Sequence, residues 1–227
     1  MTTIKETQKW SPGLPTFRGY SMPSDADLPV SRVSWEINPS STMLLVHDMQ
    51  PFFLAGYGDE PPVETLTENV SDLIQRARAV EVPVAYTLQP GNMSASERGL
   101  VADFWGPGMA RSDEDRLPRG ALAPASNDAV FTKWRYSAFH QSGLDNYVHE
   151  KNVKKIILCG VYADIGILAT AIDAYSRDLQ VFLVADAIAD FTREDHEHAL
   201  GYISNRCGRV VSTKDVLDSL GWAAPSV

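Results

Sequence analysis

The chain has 227 residues, a length that suits one large α/β domain, and 44% of them are hydrophobic, enough for a sizeable core. A formal net charge of −9 argues against a non-specific nucleic-acid surface but not against an anionic small molecule gripped by a few local cations. Cys159 and Cys207 form no CxxC pair or disulfide framework, and no signal-peptide-like start or long apolar run occurs, so the expectation is a cytoplasmic protein without membrane association.

Residues 1 to about 40 carry five prolines and no sustained periodicity, the pattern of an extended or partly helical arm wrapped on a domain spanning 41–220. Regular structure is predicted to open with Thr42-Met-Leu-Leu-Val-His-Asp48, a short apolar run of the kind buried on both faces of a sheet. Leu66, Val70, Leu73, Ile74 and Ala77 give helical spacing within 65–80. A second strand follows over 82–88, then a polar, Gly/Pro-rich connection to about 127, a length more often functional than ornamental. Further strands are predicted at 129–132, 155–160, 180–185 and 209–211, with helices near 143–151, 165–177 and 194–206 and from about Lys214. This alternation implies parallel βαβ units with right-handed crossovers. The C-terminal ends of such strands collect the chemistry, which places Asp48, Gln89, Lys133 and Tyr162 along one edge.

Taken singly, these residues leave alternatives open. Asp48 follows an apolar run; burial would raise its pKa and suit a general acid, but a cap or buried ion pair reads equally well. Lys133 at a strand end is placed to orient a carboxylate or neutralise developing charge, or else is a solvated lysine. Within the long connection, Arg98 offers a bidentate carboxylate grip and Trp105 an apolar wall; the bland reading is a surface loop. Gly160-Val-Tyr-Ala-Asp-Ile-Gly166 leads into a helix whose backbone N–H groups suit an oxyanion, although glycine turns are common there for packing. His196 and His198, two apart on a helix, point different ways and read as a solvated face, so no metal site is expected. Both cysteines read as inert core thiols, and His47 as a structural residue on the opposite side of the strand from Asp48.

Together, Leu45-Val-His-Asp-Met-Gln50, Lys133-Trp-Arg-Tyr-Ser-Ala-Phe139 and Val184-Ala-Asp-Ala-Ile-Ala-Asp-Phe191 resemble the isochorismatase branch of the isochorismatase-like hydrolases. Ala85-Tyr-Thr-Leu-Gln-Pro-Gly-Asn-Met93 and Asp103-Phe-Trp-Gly-Pro-Gly-Met109 look closest to the phenazine-pathway enzymes that act on 2-amino-2-deoxyisochorismate. The resemblance covers residues 40–217 and implies a three-layer α/β/α fold with a six-stranded parallel sheet of order 3-2-1-4-5-6, commonly as a homodimer. It implies that Asp48 is the acid and Lys133 the essential lysine, that Gln89, Arg98, Tyr162 and Gly166 contact a dianionic substrate, and that Phe52 and Trp105 wall the pocket. The bond before Tyr162 is often cis in this family, and no cofactor is implied.

The amidases of the superfamily have a cysteine nucleophile where this chain has Gly166. Acyl transfer needs that thiolate; a vinyl ether, once protonated, is open to water directly. Vinyl-ether hydrolysis of 2-amino-2-deoxyisochorismate or isochorismate is therefore the expected activity, with a non-catalytic binder and an amidase using Cys159 as the alternatives. A cysteine at 166 is expected to fold and to crowd the substrate. The chain departs from the isochorismatase pattern at Asp164, where histidine is usual, and an added negative charge there would oppose a dianion if it faced the pocket. No fused aryl carrier domain is expected after the last helix.

Overall fold

All six residues of β1 (Thr42–His47) are buried, which a strand achieves only at the centre of a sheet covered on both faces. The computed structural model describes residues 14–15, 17–109 and 112–221. In it β1 is flanked by β2 (Val84–Leu88) and β4 (Lys155–Val161), with β3 (Ala129–Thr132), β5 (Gln180–Ala189) and β6 (Gly208–Val211) outside them. Every pairing is parallel and the order is 3-2-1-4-5-6.

Chain order also gives the helices: α1 (Pro51–Leu54), α2 (Val63–Ala79), α3 (Ala95–Arg98), α4 (Val101–Trp105), α5 (Asp113–Arg116), α6 (Leu144–Glu150), α7 (Leu168–Tyr175), α8 (Arg193–Arg206) and α9 (Thr213–Ser219). Alternate strand residues feed two cores. Leu44 and Val46 pack with Leu66, Val70, Leu73 and Ile74 of α2 and Val216 of α9. Met43 and Leu45 pack with Leu144 of α6, Ala171 of α7 and Leu200 of α8. Each leucine so buried contributes about 1.5–3 kcal/mol relative to exposure. The five apolar positions that predicted α2 are its five buried ones, because the 3.6-residue period puts them on one stripe.

Two elements differ from the sequence-based expectation. The helix predicted over 165–177 begins as a π turn (Ala163–Ile167) before α7. The strand predicted to stop at 185 continues to Ala189 through a bulge, where two steps along β4, from Leu158 to Gly160, match five along β5, from Leu183 to Ile188. Asp186 lies in that bulge and looks like a strand end in sequence; its Oδ1 accepts hydrogen bonds from the backbone N–H and hydroxyl of Thr213. The extension carries Asp190 to the π turn, where its Oδ2 accepts from the Asp164 N–H at 2.6 Å.

His196 corrects a second expectation. It is fully buried, not solvated, because the arm lays Tyr20 against it. The Asp190 N–H donates to the Tyr20 oxygen, Tyr20 donates to His196 Nδ1 at 2.9 Å, and Nε2–H donates to the Ala185 carbonyl at 3.0 Å. In this arrangement the ring is neutral, with its one proton on Nε2. Burial lowers the His196 pKa to about 4 despite the Ala185 bond. An unfolded histidine takes its proton near 6.5, so between these values the unfolded chain binds the extra proton and stability drops as pH falls, by about 3 kcal/mol in full. Urea unfolding at pH 7 and pH 5 is expected to show a shallower loss for His196→Gln than for the wild type; equal losses would refute the relay.

Candidate active site

Asp48 leaves β1 with φ +50, a left-handed conformation that aspartate and asparagine tolerate better than most residues. Its N–H bonds back to the Thr87 carbonyl at 3.1 Å, and this turn stands the carboxylate over the C-terminal edge of the sheet. Oδ1 accepts the Thr87 hydroxyl at 2.7 Å; Oδ2 accepts Lys133 Nζ at 2.7 Å and lies 3.4 Å from Gln89 Nε2. Asp48 and Lys133 are each 3% exposed. Burial alone would raise the Asp48 pKa, but the charge of Lys133, with smaller help from His47 and the Lys133 and Thr87 bonds, outweighs it and holds the carboxyl below its usual range. The free protein therefore keeps Asp48 as a carboxylate.

Gln89 links this pair to Arg98, whose guanidinium donates to Gln89 Oε1 at 3.2 Å and, through Nε, to the Gly106 carbonyl at 2.9 Å. Arg98 is buried, held only by neutral acceptors, and among the described residues meets no carboxylate. Its pKa is lowered by burial first and by the neighbouring Arg135 guanidinium second, a crowding of positive charge that an anion would relieve. Arg135 donates to the carbonyls of Glu97 and Trp134 and likewise has no acid partner there. Gln50, buried under the loop, staples it: its side chain accepts from the Gln89 N–H and donates to the carbonyls of Gln89 and Arg116.

Asp48, Lys133, Gln89, Arg98 and Arg135 line one cavity that opens to solvent. All eight residues singled out in the sequence line it: Asp48, Lys133, Gln89, Arg98, Tyr162, Gly166, Phe52 and Trp105. Trp105 Nε1 donates to the Tyr136 hydroxyl at 2.8 Å. Tyr162 follows a cis peptide bond and donates its hydroxyl to the Phe53 carbonyl at 2.6 Å.

Sequence reasoning missed several lining residues, among them Leu14, Arg135, Tyr136 and His47. Arg135 and Tyr136 sit inside the quoted Lys133 motif, whose run of residues was the available signal; Leu14 carried none. His47 was placed opposite Asp48 by strand alternation, but alternation ends where Asp48 turns left-handed, so both residues border the cavity. In the π turn the N–H groups of Asp164, Ile165 and Ile167 are already bonded to Asp190 Oδ2 and the Tyr162 carbonyl, so these three are not free to hold an oxyanion.

The sequence pattern of the isochorismatase domain matches residues 42–215. The chain belongs to the isochorismatase family. Phenazine biosynthesis protein PhzD of Pseudomonas fluorescens is 47% identical over 205 residues, 90% of this chain and 99% of that protein. Enterobactin synthase component B of Escherichia coli K12 is 41% identical over 90% of this chain and 72% of its own length. Among solved structures, a cysteine hydrolase from Pseudomonas syringae pv. phaseolicola 1448A superposes with a TM-score of 0.74 at 28% identity, covering 85% of this chain and 97% of that one.

This isochorismatase-family hydrolase has no cysteine among the residues lining its cavity. Cys159 is fully buried in β4, its thiol against the Leu45 carbonyl and its pKa pushed up by burial; Cys207 is likewise buried, with its thiol pushed up to about 11. Neither supplies a thiolate. The unusual Asp164 does not line the cavity either: its Oδ1 pairs with His198 Nδ1 at 2.6 Å on the outer side of the π turn. Its charge therefore says nothing against an anionic substrate, and nothing for an ammonium group.

Proposed function

We propose that this hydrolase cleaves the vinyl ether of 2-amino-2-deoxyisochorismate, or of isochorismate, to pyruvate and the corresponding dihydro-hydroxyanthranilate or 2,3-dihydro-2,3-dihydroxybenzoate. The observation that carries the reading is the charge of the thiol-free cavity. Three cations (Lys133, Arg98 and Arg135) face one carboxylate, Asp48, in a protein of net charge −9. That surplus of two positive charges matches the two carboxylates of the substrate.

Asp48 transfers its proton to the terminal methylene carbon of the enol ether, leaving an oxocarbenium ion at the ether carbon. Water adds to that carbon and loses a proton. The resulting hemiketal collapses, the carbon–oxygen bond to the ring breaks, and pyruvate and the ring alcohol leave. Asp48 needs a proton for the first step, although Lys133 holds it ionised in the free protein. The bound substrate supplies the correction: its two carboxylates compete for Lys133 and Arg98 and, with water expelled, raise the proton affinity of Asp48. Lys133 then stabilises the carboxylate that proton transfer regenerates.

The stretches 85–93 and 103–109, which resemble the phenazine-pathway enzymes, and PhzD relatives at 45–47% identity support the amino substrate, while a probable isochorismatase of Pseudomonas chlororaphis at 48% keeps isochorismate in the test. The test is pyruvate release from each purified compound. Faster release from the amino compound is expected; no pyruvate from either removes the reading.

A further inference from the structure

Glycine occupies position 166 for space and not for conformation. The residue lies in the π turn with φ outside the left-handed region, where any amino acid fits the backbone. A Cβ built on it would stand 2.3 Å from His47 Cε1 and 2.9 Å from Nε2, distances no real side chain keeps. His47 has little freedom to yield. It is fully buried, Nδ1 donates to the Val161 carbonyl at 2.7 Å, and its backbone oxygen lies 2.1 Å from where a Cβ on Gly160 would be. Gly160 does need to be glycine, with φ +113. The histidine thus sits in a slot with one glycine against its backbone and a second against its ring. The first obstacle to a cysteine at 166 is therefore the protein's own imidazole, which corrects the expectation that such a variant simply folds and crowds the substrate.

We propose that His47 is a specificity-determining residue: its imidazole fills the volume of a side chain at 166, so that His47 and Gly166 as a matched pair keep a nucleophile out of the cavity. Gly166 alone does not set the chemistry, because the strand that delivers Asp48 also delivers the ring that enforces the glycine. The consequence for substrate class rests on the vinyl-ether reading above; the steric coupling does not. Without a nucleophile at the turn, acyl-enzyme chemistry has no starting atom, and bond cleavage falls to Asp48 and water.

The test is a double-mutant cycle read by thermal unfolding, with Gly166→Ala and His47→Ala alone and together. Gly166→Ala alone is expected to lower Tm by about 5–10 °C, the usual scale of overpacking in a protein of this size, and by less than about 2 °C when His47 is already alanine. If Gly166→Ala yields no folded protein, recovery of folded protein in the double variant makes the same point. A Tm loss that is equal in both backgrounds, or a double variant no better than Gly166→Ala, overturns the proposal.

A second readout separates coupling from general packing. Cysteine at 166 should be alkylated by iodoacetamide at least tenfold faster in the His47→Ala background than beside His47, because only there does the thiol fit the cavity wall; equal rates overturn the proposal. Should His47→Ala itself fail to fold, a crystal structure of Gly166→Ala decides. The ring must have left the Val161 carbonyl, and an unmoved ring refutes the coupling. None of these measurements uses turnover, so their failure leaves the vinyl-ether reading intact, and the pyruvate assay can fail without touching them.

Discussion

Asp48→Asn binds substrate and turns it over at least about a thousandfold more slowly, the upper range for removing a general acid. Asparagine is the informative replacement because the site is left-handed, φ +50, which asparagine tolerates and alanine does not. Its amide keeps one of the two oxygens, so that either the Thr87 hydroxyl or Lys133 retains its acceptor, while losing the transferable proton. The loss should fall on kcat with the dissociation constant within about tenfold, since Arg98, Arg135 and Lys133 remain to hold the dianion. Calorimetric binding together with single-turnover kinetics checks this. Retention of even a tenth of wild-type kcat would remove Asp48 as the proton donor.

Lys133→Met is expected to harm both rate and stability, and the second effect carries a pH signature. In the wild type, burial is outweighed by Lys133 and the Asp48 pKa is depressed. Its contribution to stability is thus fully present above the unfolded value near 3.9 and is lost as pH falls through the folded one. With the lysine gone, burial is left largely unopposed and the pKa rises. The variant then prefers a protonated Asp48 and loses stability as pH increases from about 4 to that raised value. The gap between the two proteins should widen by about 1.4 kcal/mol per pH unit over that window, towards the 3–5 kcal/mol typical of breaking a buried pair. Urea unfolding at pH 5 and pH 8 measures it, and an identical gap at both would mean that the two groups are not coupled. The rate should fall about a hundredfold or more, because the carboxylate left after proton transfer loses its counter-charge.

Most of the fold was legible because its signals are periodic. The stripe Leu66–Val70–Leu73–Ile74–Ala77 marks a helix, and the apolar run of β1, short for a buried helix, reads as a strand. The alternation of elements and the family resemblance then fix the sheet order. Legibility failed where a polar residue interrupts an element for tertiary reasons, as at Asp186 in the β5 bulge. The candidate site was legible as a set of residues, since strand ends and the long connection converge on one edge. Directions of side chains were not. His47 reaches the cavity because of a local φ, Asp164 leaves it for a histidine 34 positions away, and His196 is buried by a tyrosine 176 positions away. Such partners have no signature in the residue itself.

The stretch ahead of the sheet also has a bearing on how the protein is handled. Leu14 forms part of the cavity lining, and Phe17 meets Tyr57, Tyr162 and Phe191 edge-on at ring distances of 4.6–5.8 Å. A version trimmed to begin with β1 would be a different receptor, with a gap beside the ligand chamber and three aromatic rings left wet. Affinities measured on trimmed protein would then report the missing wall as much as the chemistry.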